Sequence, residues 1–468
     1  MRQFVKVFAL SVIILMLPGQ LTIGFGQKSV PEKGKIIDTV RCRSNPKISY
    51  AIYLPASYSE NKKWPVIFVF DPAARGKVAV SGFVQASEKL GYIIVCSNNS
   101  RNQLPWTELS EVINSMFTDV GEKFKIDPGR IYTSGFSGGS RVASTIALNS
   151  NLISGVIACG AGFSDLADYN NIPAFNYYEL VGNRDMNYLE MCDLEKKLAG
   201  YGKTVQLKVF EGTHAWPSPE LLEEAVEWMD LQAMIKGSIK KNPPFIGSQF
   251  DRYIRNAELL LREGKLITAA QQYEYIIKDF PDYNSAVNIK GKLDSLKKSD
   301  GYIKAVKSWD KSRSFELKIQ SKLISALIEQ VRAESLPDSI RSDISGQIRM
   351  LRNLEKGKDK TNQDIASRVL MMLNIFCAER GRNYFNEKKF GAASVCYEIQ
   401  SLVEPENNKL YYQLAKIYSL GNETDKSLSS LVKAINLGYN DRESIEKEPA
   451  FIALKNEKRF RDAIKKLK

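Results

Sequence analysis

Three residues far apart in this chain could together run nucleophilic acyl chemistry: Ser137, Asp185 and His214. Ser137 stands in Gly135–Phe136–Ser137–Gly138–Gly139, one hydroxyl among small residues. A serine hydroxyl is a weak nucleophile until a base takes its proton. The chain has one histidine, His214, so an imidazole mechanism has one choice. A carboxylate must then hold the ring in the tautomer whose far nitrogen accepts that proton. Asp185, in "VGNRD", is the expected partner, with Asp165 and Asp168 after "GAGFS" as rivals.

These residues need a scaffold that brings them together. Up to about Lys240 the sequence alternates between short apolar runs and amphipathic stretches. "WPVIFVFDP", "GYIIVCSNN", "RIYTSGFSGG", "ISGVIACGAG", "FNYYELVGN" and "VQLKVFEGTH" read as strands. "TELSEVINSMFTDVGEKF", "GSRVASTIALNS" and "PELLEEAVEWMDLQAMIK" read as helices. Uninterrupted apolar strands alternating with helices predict an α/β fold, a mostly parallel sheet covered on both faces. In such sheets function gathers at the carboxyl ends of the strands. Ser137, Asp185 and His214 each follow a predicted strand. Gly135 and Gly139 flank a turn so tight that residues two before and two after the serine must be nearly bare, as a nucleophile elbow requires. The order serine, aspartate, histidine is the one used by hydrolases with this elbow.

Across roughly Lys35–Lys236, "GFSGG", "VGNRD" and "EGTHAWP" resemble the α/β-hydrolase superfamily. They are most similar to its polyhydroxybutyrate-depolymerase, feruloyl-esterase and dienelactone-hydrolase members. The resemblance implies Ser137 as nucleophile, with Asp185 and His214 as its partners. It also implies an oxyanion hole from the Gly138 N–H and a second donor in the loop after "VIFVF". Many relatives carry His-Gly there; this chain has Asp71–Pro72–Ala73, and proline has no N–H. Ala73 is the expected second donor, with Asp71 as the other choice. No large cap is inserted between "GVIACGAG" and "FNYYELVG", so the site should be open. Trp106, Phe136, Tyr169 and Trp216 are candidates to line it, although the same rings would also serve as partial core. The expected activity is serine hydrolysis of carboxylic esters through an acyl-enzyme, on a small or polymeric ester. The alternatives are a peptidase of the prolyl-peptidase-like type and a binding scaffold with a vestigial hydrolase half. No cofactor and no metal are expected, since a single histidine and scattered cysteines make no ligand cluster.

The texture changes at "KKNPPF", Lys240–Phe245, where two prolines mark a linker and strand-like runs stop. Beyond it the period is helical. Tyr253, Ala257, Leu260, Gly264, Ala269, Tyr273 and Pro281 recur in register with Gly381, Tyr384, Phe390, Ala393, Tyr397 and Pro405. A third unit carries Tyr411, Ala415, Tyr418 and Ala434. The pattern resembles the tetratricopeptide repeat, in which small residues let paired helices approach. Such a domain, 241–468, is expected to take a protein or peptide partner in a concave groove.

At the amino terminus, Arg2 and Lys6 precede the apolar run Val7–Leu17, broken by Pro18 and Gly19. This reads as a signal peptide, 1–26, and the catalytic domain as 27–240. The mature chain is then exported, to the periplasm or beyond the cell, with no transmembrane segment. Net charge is +13, and 42 Lys and Arg against 30 Asp and Glu lie from Lys240 onward. No aromatic-and-basic nucleic-acid motif accompanies that excess, which reads as solvated helical faces. Cys96 and Cys159 end apolar strands; Cys377 and Cys396 fall on successive helices and could pair.

Overall fold

A computed structural model describes residues 31–163, 172–281, 286–465 and 467. The signal-peptide stretch and Asp165, Asp168 and Tyr169 lie outside the described residues. The chain divides into two compact units after Lys307.

The first unit is built on β1 (Ile36–Arg41), β2 (Ser49–Tyr53), β3 (Trp64–Phe70), β4 (Ile93–Ser97), β5 (Ile126–Phe136), β6 (Gly155–Cys159), β7 (Asn176–Gly182) and β8 (Val205–Phe210). They form one sheet in the order β1-β2-β4-β3-β5-β6-β7-β8. β2 runs antiparallel to both β1 and β4, and every other pair is parallel. Six helices alternate with the strands: α1 (Gly76–Gly82), α2 (Val84–Leu90), α3 (Trp106–Lys123), α4 (Gly138–Leu148), α5 (Tyr188–Gly200) and α6 (Pro219–Ile235).

β3 explains why the strands read as unbroken apolar runs. All of its residues are buried. Val66, Phe68 and Phe70 face one core with Leu109 and Met116 of α3. Ile67 and Val69 face a second core with Phe83 and with Trp228 of α6. A strand covered on both faces has no polar side to show. The expected fold class, a mostly parallel α/β sheet covered by helices and followed by an all-helical region, is the one observed.

The sheet unit does not end where the sheet does. Residue 240, where the texture changes, lies inside the first unit. Pro243 and Pro244 are not loop residues; they open α7 (Pro243–Arg262), with the Asn242 side chain accepting from the Phe245 N–H at 3.3 Å. Proline suits the first helical turn because the N–H it lacks would have had no partner there. α7 is followed by α8 (Leu266–Asp279) and α9 (Ala286–Lys298). Buried side chains join α7 and α8 to the sheet. Tyr253 donates to Gln206 of β8 at 2.8 Å, and the Leu207 N–H of that edge strand donates to the Tyr275 hydroxyl at 2.9 Å. Trp228 and Gln232 of α6 donate to Asp279 at 2.8 and 2.9 Å.

α10 (Asp300–Ala333) crosses the division between the units. The second unit continues with α11 (Asp338–Glu355), α12 (Lys360–Asn386), α13 (Phe390–Val403), α14 (Asn408–Leu420) and α15 (Thr424–Asn436), then α16 (Arg442–Lys447), a 3-10 turn over Pro449–Leu454 and α17 (Lys458–Lys465). Its small residues stand at helix contacts: Ala393, Ala415 and Ala434 are fully buried, and a Cβ on Gly381 would come within 2.7 Å of the Tyr397 ring. Cys377 and Cys396 do not pair; all six cysteines are buried free thiols. Among the described residues no helix is long and apolar enough to cross a membrane.

Asp279 makes the α6–α8 junction sensitive to pH. Burial raises its carboxyl from 3.8 to about 6, against the pull of the Trp228 and Gln232 hydrogen bonds. Between those values the folded chain keeps a proton that the unfolded chain has lost, so this group's contribution to stability falls as pH rises through that window. Asp279→Ala leaves two buried donors unpaired and destabilises the chain. The cost is greatest below pH 3.8 and is smaller by about 3 kcal/mol well above pH 6. Urea unfolding of wild type and variant at both pH values measures it.

Candidate active site

Ser137 stands between β5 and α4 with φ of 53°, a backbone conformation that non-glycine residues rarely hold. The strain comes from crowding beneath it. A Cβ on Gly135 would lie 2.3 Å from the Gly139 carbonyl, and one on Gly139 would lie 2.0 Å from the Phe70 oxygen of β3. Only glycine lets α4 come down this close to the sheet. The hydroxyl is left at the apex of the turn, at the amino end of a helix whose first N–H groups have no intrahelical acceptor. One of those is the Gly138 N–H. The helix dipole favours negative charge at that place.

His214 and Asp185 come from two neighbouring loops laced together by main-chain bonds. After β7, the Asn183 N–H donates to Phe210 at 2.8 Å and the Arg184 N–H to Gly212 at 2.9 Å. In return the Gly212 N–H donates to the Asn183 side chain at 2.9 Å. Gly182 has no room for a side chain, since a Cβ would sit 2.5 Å from the Gly212 oxygen. Asp185 is 1% exposed and is braced by the Asn187 N–H at 2.8 Å.

Ser137, Asp185 and His214 meet. His214 Nδ1 lies 2.9 Å from both Asp185 carboxylate oxygens, and Nε2 lies 2.8 Å from Ser137 Oγ. A carboxylate only accepts, so Nδ1 carries the proton and Nε2 is left to accept from the hydroxyl. That arrangement can take a proton from Ser137 as the oxygen attacks and return it to a leaving group.

The aromatic residues divide. Phe136 is buried, with its ring 4.6 Å from the His214 ring, so it backs the imidazole rather than lining an opening. Trp216 packs on Phe136 at 5.6 Å and donates its indole N–H to Asp71 at 2.8 Å. Trp106 is exposed at the first turn of α3, at the carboxyl edge of the sheet.

Ala73 does not fit the role of second oxyanion donor expected of it. The Ala73 N–H does not stand free; it donates to its own loop, to Asp71 Oδ1, at 2.8 Å. Asp71 is a fully buried hub that sequence reasoning valued only for its N–H. Arg75 grips both of its oxygens at 2.9 and 2.8 Å. Burial alone would raise the carboxyl, but the bonds from Arg75, Trp216 and Ala73 outweigh it and hold Asp71 ionised below the usual range. Its sequence signal was a buried acid directly ending an apolar strand.

The elbow gives a paired prediction. Gly139→Ala drives a Cβ into the Phe70 carbonyl and should cost about 3 kcal/mol or more. Gly121→Ala, in α3 with nothing within 4 Å, should be neutral or stabilising by up to about 1 kcal/mol. Chemical denaturation of both variants checks the contrast.

Among solved structures, the chain is similar to a thermostable esterase at 19% identity, covering 42% of this chain and 62% of that one, with a TM-score of 0.35. It is similar to an S-formylglutathione hydrolase from Staphylococcus aureus at 14% identity, covering 43% and 98%, with a TM-score of 0.35. It is similar to a ferulic acid esterase at 17% identity, covering 42% and 97%, with a TM-score of 0.34. No protein-family model matches the chain, and no curated protein does.

Proposed function

We propose that this chain is a serine hydrolase acting on carboxylic esters. One observation carries the reading: Ser137 Oγ sits 2.8 Å from His214 Nε2, and His214 Nδ1 sits 2.9 Å from Asp185. Ser137 Oγ bonds to the ester carbonyl carbon while its proton passes to Nε2. The Gly138 N–H stabilises the negative oxygen of the tetrahedral species. Collapse breaks the bond to the alkoxy oxygen, which takes the proton from Nε2 and leaves as the alcohol. Water then attacks the acyl carbon, gives a proton to Nε2, and releases the acid as Ser137 recovers its own. Asp185 keeps the ring in the tautomer that both halves need.

The reading extends to the rest of the chain. The basic residues Arg2 and Lys6 before the apolar run Val7–Leu17 support export. The small residues at the helix contacts of the second unit support a tetratricopeptide-like array. Its groove of about 380 Å³, lined by Arg341, Glu398, Tyr411, Tyr418 and Lys433, would hold a peptide segment.

A fluorophosphonate probe should label the wild type and not Ser137→Ala. Turnover of p-nitrophenyl acyl esters should fall by about 10⁴–10⁶ in Ser137→Ala and by about 10⁴ in Asp185→Asn. Wild-type protein that neither labels nor turns over any activated ester would overturn the proposal. Activity confined to acyl amides would mark a peptidase instead.

A further inference from the structure

From Pro72 to Arg75 the loop after β3 has spent its main-chain donors. Pro72 has none. Ala73 donates to Asp71 Oδ1 at 2.8 Å. Ala74 donates to the Asp71 carbonyl at 3.1 Å, and Arg75 to Asp71 Oδ1 at 3.3 Å. A tetrahedral oxyanion at Ser137 would meet the Gly138 N–H and no second backbone donor from Pro72–Arg75. Resting on the serine-hydrolase reading, we infer that the Asn102 side-chain amide supplies the missing donor.

Asn102 lies in the loop after β4, which is pinned across the β3 loop. The Asn102 N–H donates to the Pro72 carbonyl at 2.8 Å, and Arg101 bridges to Ala73 in antiparallel fashion. Both loops carry a strained residue beside the contact: Ala74 has φ of 57° and Gln103 of 68°. Such strain persists where surrounding bonds fix the backbone.

The contact with Gly138 is the specific observation. A Cβ built on Gly138 would lie 1.9 Å from Asn102 Oδ1, 2.8 Å from Cγ and 3.2 Å from Nδ2. Gly138 is the first residue of α4 and has no positive φ, so its backbone does not demand glycine. The Asn102 carboxamide demands it, by filling the space where a side chain would stand. Asn102 is an exposed residue, and among the described residues its carboxamide has no hydrogen-bond partner of its own. The two ends of a carboxamide are nearly equal in shape. Turning it over puts Nδ2 where Oδ1 stands, against the residue whose N–H is the first oxyanion donor. A side-chain amide in this role contributes about 10²–10³ in kcat.

The test uses the full chain, p-nitrophenyl butyrate and a fluorophosphonate probe. Asn102→Ala should keep the wild-type melting temperature and remain labelled at Ser137. Its kcat should fall by about 10²–10³ with KM changed less than threefold. Asn102→Asp, which can only accept, should fall at least as far. Gly138→Ala, which evicts the carboxamide without altering it, should show a similar loss, and the double variant should be no slower than Asn102→Ala. A kcat for Asn102→Ala within threefold of wild type overturns the inference alone. So do losses that multiply in the double variant, or a loss carried wholly by KM. Failure of the wild type to label overturns the serine-hydrolase reading and this inference with it.

Discussion

The Gly139 backbone rests against the Phe70 carbonyl, and that contact decides where Ser137 stands. With a Cβ at 2.0 Å from that oxygen, α4 would lift off β3, and the turn holding the serine would relax. Phe70 is also the last residue of β3, so the same contact fixes where the Asp71 loop begins. Ser137 and the loop beside it are thus set against one carbonyl group. The positive φ at Ser137 is the visible sign of this crowding.

The imidazole is held by a different means. The turns after β7 and β8 exchange main-chain hydrogen bonds at Asn183, Arg184, Phe210 and Gly212. Asp185 and His214 therefore move as one piece. Behind the ring, Phe136 packs on His214, Trp216 packs on Phe136, and the Trp216 indole bonds to Asp71. Asp71 in turn ties down Ala73 and Arg75. One buried carboxylate thus links the histidine side of the site to the loop on the other side of the serine.

Much of this was legible in the residues themselves. Continuous apolar runs exposed the two-sided sheet, because a strand with cores on both faces cannot alternate. The glycines around Ser137 exposed the turn, and a single histidine left no competitor. What stayed hidden depends on packing between segments distant in the chain. Nothing in "DPAAR" says that Asp71 folds back to take the Ala73 N–H, since that requires Trp216 and Arg75 to make burial of the charge tolerable. Nothing in "SNNSRNQ" says which asparagine lies on Gly138, and the glycine there looked like part of the turn. Pro243 and Pro244 read as a break because proline ends helices; a cap from Asn242 made them a start. The boundary at Lys307 was invisible because helical texture says nothing about which neighbour a helix packs on.

The bond from the Leu207 N–H to Tyr275 has a consequence for how this protein can be cut. β8 is the last strand of its sheet, and an unguarded last strand invites another chain to zip onto it. Here a phenol from α8 occupies that row, flanked by Tyr253 on Gln206 and Asp279 beneath Trp228. A chain truncated where α7 begins would bare a sticky margin along with the orphaned side chains of Gln206, Trp228 and Gln232. The helical segment from Pro243 to Asp279 is better regarded as the sheet's border guard than as a detachable appendage.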